Sequence, residues 1–191
     1  MQTLLMSENK IRNIVYASLL AALTAVGAYI SIPIPVSPVP IVLQNFFILL
    51  AGLLLGSRMG VMSVLLYLII GALGVPVFAG GTGGFAHFLA PSGGYLIGYV
   101  PAVFVVGLIA ERGTSSFLKD IIAAAVGALI VYAAGVPFLK VVASFTWQKA
   151  IISGVVPFLI GDALKIVGAA AAVKIVRPII KEQATGTYND Q

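Results

Sequence analysis

Val155-Val156-Pro157-Phe158-Leu159-Ile160-Gly161-Asp162-Ala163-Leu164-Lys165-Ile166 decides what kind of protein this is. Two charges three residues apart interrupt a run that is otherwise uncharged, and the segment continues mostly apolar to Val176. On a helix that spacing places both side chains on one face. In a bilayer an unpaired charge costs about 3 kcal/mol on insertion scales, so a mutual pair turned toward a protein interior or a wet cavity is the expected arrangement. Such a pair has two uses. It is either a self-satisfied structural contact that snorkels to the surface, or a receptor, because a lysine partnered by one aspartate keeps donors for a ligand carboxylate while the aspartate orients it.

The rest of the chain agrees with a membrane setting. Of 191 residues, 60% are hydrophobic and only 9% charged, with a mean hydropathy of +1.11. A water-facing surface needs roughly a quarter to a third of its residues charged, which excludes a cytosolic enzyme. With no cysteine and one histidine, disulfides, thiolate metal sites and zinc clusters are not expected, and neither metal nor cofactor is assigned. The net charge of +5 is scattered between apolar runs rather than gathered on a stripe, so nucleic acid is not an expected partner.

A spanning helix needs about 20 apolar residues. Six segments fit, near 13–32, 40–55, 59–77, 95–109, 118–136 and 155–176, in one membrane domain covering 1–191 with a solvated tail at 178–191. The expected fold is an all-α integral membrane protein, a six-helix transmembrane bundle with ordered extracellular loops. Lys10, Arg12, Arg58, Arg112, Lys119, Lys174, Arg177 and Lys181 fall at the termini and in the second and fourth connections, against Lys140 and Lys149 on the other side. By the positive-inside bias both termini are cytoplasmic. Lys10 and Arg12 before an apolar segment resemble a signal peptide, but the segment is long, lacks a small-x-small cleavage site and is followed by further spans, so it stays in the mature chain.

The outward connections differ from the short inward turns. They hold a proline ladder (Pro33, Pro35, Pro38, Pro40), a glycine-rich stretch from Val75 to Gly94, and an amphipathic stretch from Pro137 to Ser153. Proline fixes φ and glycine permits unusual backbone, so these loops form an ordered lid. Phe145, Trp147 and Lys149 suit an interfacial helix, or an ordinary surface helix without a binding role.

Gln44 and Asn45 offer donors and acceptors at the outer end of the second helix, either to a neutral polar head or to helix-end amides. Gly81, Gly83 and Gly84 belong to a side-chain-free loop whose amides can approach a ligand. It lacks the register of a dinucleotide fingerprint, and the chain has no phosphate loop. Ser92 and Tyr95 open the fourth helix, whose N-terminus attracts anionic groups or is simply capped there. His87 reads as a loop hydrogen-bonding residue rather than a metal ligand. Ala17, Ala21 and Ala25 form a small-residue strip on the first helix, for packing inside the bundle or for docking another membrane protein.

Together these motifs resemble the BioY family, the biotin-specific substrate-binding component of energy-coupling factor (ECF) transporters. The resemblance rests on Pro38-Val39-Pro40-Ile41-Val42-Leu43-Gln44, Ala51-Gly52-Leu53-Leu54-Leu55-Gly56, Gly74 through Gly84, Pro91-Ser92-Gly93-Gly94-Tyr95-Leu96-Ile97-Gly98-Tyr99 and Gly161-Asp162-Ala163-Leu164-Lys165, in the family's order. Val42 and Ala90 stand where the family pattern has threonine and glycine. The resemblance implies a multi-pass protein of the cell membrane, binding biotin under external loops. It also implies a transmembrane coupling subunit that meets an alanine motif, matched best by Ala17 and Ala21, and separate ATP-binding subunits.

Biotin brings one carboxylate, which Lys165 held by Asp162 would neutralise, and a ureido group, which amides of Gln44, Asn45 or the glycine loop would read. The alternatives are a stand-alone ion-coupled transporter with Asp162 as its protonatable group, and an intramembrane enzyme. The first usually has further intramembrane ionisable groups, and the second lacks a nucleophile and base pair.

Overall fold

The computed structural model describes the backbone of residues 2–186 and the side chains of residues 11–180. Helix α1 (Gln2–Tyr29) leads into a hairpin of β1 (Ser31–Ile34) and β2 (Ser37–Val42). Then come α2 (Gln44–Ala72), α3 (Gly93–Glu111), α4 (Phe117–Val142), the short α5 (Trp147–Gly154) and α6 (Leu159–Gly186), with 3-10 turns at Phe85–Leu89 and Val156–Phe158. Among the described residues five helical stretches are long and apolar enough to cross a membrane: the α1 portion Ile11–Tyr29, α2, α3, α4, and Trp147–Ile180, which contains α5 and α6 up to Ile180.

The expected second and third segments are two arms of α2. The helix breaks at Gly56, where φ is +78° and ψ −172°. A Cβ placed on Gly60 would lie 3.2 Å from the Ala51 carbonyl oxygen, whereas a straight helix separates those residues by about 13 Å. The chain therefore doubles back at Gly56 with no loop. Glu111 seals this elbow: its carboxylate accepts from the Ser57 amide at 2.7 Å and from the Ser57 hydroxyl at 3.0 Å, at a helix start that favours negative charge. A Cβ on Gly56 would sit 2.1 Å from a Glu111 oxygen, so the sharp turn needs glycine for space as well as for φ.

Other helix ends shift for identifiable reasons. The first helix stops at Tyr29 and the second starts only at Gln44, because the proline ladder forms the hairpin, with Ser31 opposite Val42 and Ile32 opposite Ile41. Proline cannot donate to a ladder, yet each strand here has one unpaired edge that accepts it. Helix α4 runs through Pro137 to Val142, as buried membrane helices tolerate. Helix α6 continues past Pro178 to Gly186, so the expected tail is helical that far, and 187–191 lie outside the described residues.

At the end of the bundle that carries the elbow, Arg177 of α6 gathers three elements. It bonds both Asp120 oxygens of α4 at 3.1 Å, the Leu53 carbonyl of α2 at 3.1 Å, and the Ser115 hydroxyl. The hairpin, the glycine loop and α5 lie at the opposite end, and Phe78 fastens that loop. Fully buried, its ring packs edge-on against Tyr67 and Phe88 and stacks on His87, while Tyr67 donates to the Val77 carbonyl at 3.1 Å.

Small residues let the helices approach closely in lipid. A Cβ on Gly107 of α3 would lie 2.2 Å from the Ser57 backbone nitrogen, and backbone cannot step aside like a side chain. Gly107→Ala is expected to destabilise the bundle by about 1–3 kcal/mol or more, seen as a lower melting temperature of the purified protein. On α1, Ala17 and Ala21 are each only 5% exposed and pack against the bundle, and the exposed small residues beside them are Ser18 and Ala22.

Candidate functional site

Helix α6 begins just after the turn containing Pro157, with Asp162 in its first turn, where the helix dipole favours a carboxylate. Lys165 stands one turn deeper and donates to Asp162 Oδ1 at 2.9 Å. Exposure is 8% and 9%, so the pair faces the protein rather than lipid. Tyr132 of α4 donates to the second carboxylate oxygen at 2.5 Å, in the short range of hydroxyl donors to a charged oxygen. Both aspartate oxygens are thus occupied, whereas Lys165 uses one of its three donors on the protein.

This cluster lines a small cavity of about 40 Å³ that is partly open to solvent. Gln44 and Asn45 from the start of α2, Ser92 and Tyr95 from the start of α3, and Asp162 and Lys165 all reach it, as do Val39 and Pro40 of the hairpin. Asn45 Oδ1 accepts from Tyr99 at 2.6 Å, and Tyr95 donates to the Gly154 carbonyl at 2.9 Å, which ties α5 to α3. Ser92 makes no capping bond to α3. Beside the ion pair lies a smaller, more apolar space of about 10 Å³, bounded by Ile48, Leu49, Ala128 and Val131.

The expected glycines are not wall residues. Gly81 rests against the Tyr29 ring, Gly83 backs onto the Val75 backbone, and the Gly84 amide donates to the Gly71 carbonyl at 2.7 Å. They shape the loop, and Ala79 and His87 are what that loop contributes to the cavity. Burial lowers the His87 pKa below its ordinary value, so the ring is neutral at pH 7.

Sequence reasoning missed His87, Phe158, Tyr99 and Tyr132. For the tyrosines a signal existed: a phenol in an apolar helix needs a polar partner, and Tyr95 and Tyr99 are four residues apart on one face of α3. Trp147 is 56% exposed on α5, with Lys140 over its ring at 5.2 Å and Lys149 over Phe145 at 4.2 Å, an arrangement suited to an interface.

A membrane-buried bundle roofed by loops over an apolar cavity, with one ion pair in its wall, defines a multi-pass membrane protein that holds a small molecule. Comparison with known proteins narrows the class. The chain belongs to the BioY family, whose model matches residues 1–182. It is 46% identical over 166 residues to a probable biotin transporter BioY of Pyrococcus horikoshii, covering 87% of this chain and 94% of that one. To the biotin transporter BioY of Thermotoga maritima it is 42% identical over 159 residues, covering 83% and 92%. The crystal structure of an S-component for biotin from an ECF-type ABC transporter superimposes with a TM-score of 0.84 at 31% identity, covering 90% of this chain and 93% of that one.

Proposed function

We propose that this chain is the biotin-binding subunit of a vitamin uptake transporter, which captures biotin outside and delivers it inward when coupled to an ATPase-driven module. The observation that carries the reading is the buried Asp162–Lys165 pair in the cavity wall, in a chain whose relatives are biotin transporters. Biotin has an apolar chain and ring sulfur, one carboxylate and one ureido group, which suits an apolar pocket with few polar groups. Lys165 neutralises the carboxylate, since a desolvated anion needs a cation and the ammonium still has donors. Asp162, held by Tyr132, pairs with Lys165 and aims it. The other pocket groups are Gln44, Asn45, Ser92 and Tyr95, with the glycine loop as cover.

The chain works as one membrane domain with six crossings, the two arms of α2 counting separately, both termini in the cytoplasm and the hairpin, glycine loop and α5 outside. The end carrying Arg58, Arg112, Lys119, Lys174 and Arg177 is rich in cations, as cytoplasmic ends are. A transmembrane coupling subunit and ATP-binding subunits of an ECF transporter supply the energy. The kinship with an S-component of an ECF-type transporter favours this over stand-alone ion coupling through Asp162.

A ligand that binds only the folded state raises apparent stability by RT ln(1 + [L]/Kd), about 2.7 kcal/mol at a hundredfold excess over Kd. Purified protein in detergent, melted against a panel of vitamins, is expected to shift with biotin. No shift with biotin, or equal shifts with unrelated carboxylated vitamins, would reject the assignment.

A further inference from the structure

Positive charge gathers at the elbow end of the bundle, yet Lys140 and Lys149 both belong to the corner at the other end, where α4 meets α5. The corner is tight. Ser144 takes a φ of +52°, and the Phe145 amide donates back to the Lys140 carbonyl at 2.9 Å, so the chain turns between Val142 and Trp147. Two aromatic rings hold the lysines there: Lys140 lies over Trp147 at 5.2 Å, and Lys149 over Phe145 at 4.2 Å. Such contacts steady the long stems, while each ammonium, with three donors, keeps hydrogens for an anion. No described carboxylate answers either charge. Among the described residues Glu111 caps the elbow, Asp120 pairs with Arg177 at that same far end, and Asp162 is taken by Lys165 in the cavity wall.

Helix α5 has an inner and an outer face. Ala150, Ser153 and Gly154 are buried, and a Cβ on Gly154 would meet the Leu139 side chain of α4 at 2.9 Å. Trp147, Ile151 and Ile152 are exposed, as is Val141 near the end of α4. An apolar face with an indole and flanking lysines suits head-group depth, the hydrocarbon meeting acyl chains and the ammonium groups meeting phosphate. Charge then selects the lipid. A zwitterionic head group carries its own cation beside the phosphate, whereas an anionic one has a charge left for Lys140 and Lys149 to neutralise.

We propose that the α4–α5 corner is a binding site for an anionic phospholipid, its phosphate held by Lys140 and Lys149 and its acyl chains lying along Trp147, Ile151 and Ile152. In the orientation given above this lipid belongs to the outer leaflet; the site itself does not require the biotin reading. It adjoins the cavity, because Tyr95 in the cavity wall donates to the Gly154 carbonyl at 2.9 Å.

Trp147 is the chain's single tryptophan, so its fluorescence reports on this corner alone. The purified full-length protein is placed in nanodiscs holding phosphatidylcholine and phosphatidylglycerol in equal amounts, with bromine on the acyl chains of one lipid or of the other. Quenching of Trp147 then gives the ratio of the two lipids beside the ring. Both leaflets are alike, so orientation does not enter. Wild-type protein is expected to favour phosphatidylglycerol by about fivefold or more, the equivalent of about 1 kcal/mol for one cation at an anionic surface. Lys140→Gln combined with Lys149→Gln is expected to bring the ratio close to one. Lys140→Arg combined with Lys149→Arg keeps both charges and should retain the preference.

Absence of quenching by either lipid would mean that Trp147 lies away from the bilayer, and it overturns the proposal. Equal quenching by both lipids in wild type, a preference that survives the glutamine pair, or one that the arginine pair also abolishes does the same. If the glutamine pair does not fold, judged by melting, the single variants Lys140→Gln and Lys149→Gln serve instead, and an unchanged ratio in both overturns the site. Biotin titration of the same wild-type samples is read separately: failure to bind biotin rejects the function proposed above and leaves the lipid site standing.

Discussion

Biotin affinity of Lys165→Met is expected to fall by roughly 30-fold to several-thousand-fold, the equivalent of about 2–5 kcal/mol for truncating one partner of a buried charge pair. Two losses act together. The ligand carboxylate loses its cation in a site walled by Val39, Leu96, Phe158 and tyrosine rings, and Asp162 keeps only Tyr132 as a partner. Asp162→Asn is expected to weaken binding as well, because the lysine is then buried without a counterion in the empty site. Since Asp162 also braces α6 against α4 through Tyr132, part of its effect will appear as a lower melting temperature without ligand. Titration of both variants with biotin checks the assignment, and unchanged affinity in both would remove the ion pair from the binding site.

Phe78→Ala is expected to release the roof of the cavity. Its ring is the loop's anchor among Tyr67, His87 and Phe88, and truncating a buried Phe costs about 3–5 kcal/mol. The loop leans on the bundle through this contact and a few backbone bonds, such as the one from Gly84 to Gly71. Much of the cost is therefore expected as loop opening rather than loss of the whole fold. Biotin should dissociate at least about tenfold faster, since changes at a formed binding surface act mainly on the off-rate. The loop should also become cleavable near Gly80 to Gly84 under limited proteolysis. A dissociation rate equal to wild type, with the loop still protected, would show that Phe78 does not hold the roof closed.

The two variants test parts of the site that were unequally legible. Asp162 and Lys165 were readable from spacing alone, because charges in an apolar helix have few tolerable arrangements and a separation of three selects one face. Gln44, Asn45, Ser92 and Tyr95 were readable as polar groups at helix mouths, and they do reach the cavity. The glycines of the loop were read as ligand contacts because glycine signals close approach. Gly81 and Gly83 do make close approaches, to the Tyr29 ring and the Val75 backbone, while Gly84 has open space around it.

Tyr99, Tyr132 and His87 depend on which way a helix or loop turns, and in a bilayer hydropathy scarcely constrains that. Lipid and protein interior are equally apolar, so the periodic contrast that orients a soluble helix is weak. The α1 strip shows the same limit. Alanine every four residues is compatible with either an inner or an outer face, and packing put Ala17 and Ala21 inside. The split between segments 40–55 and 59–77 anticipates a break near Gly56, but not that the chain reverses there without a loop. The reversal depends on Glu111, 55 positions away, capping Ser57.

The linear chain by itself determined that this is a membrane bundle with a charge pair on its last helix, since burying backbone and charge in hydrocarbon leaves almost no other solution. Only the tertiary structure decided which polar groups share a cavity and which phenols are already committed. Those outcomes depend on helix rotations set by close packing between segments far apart in sequence.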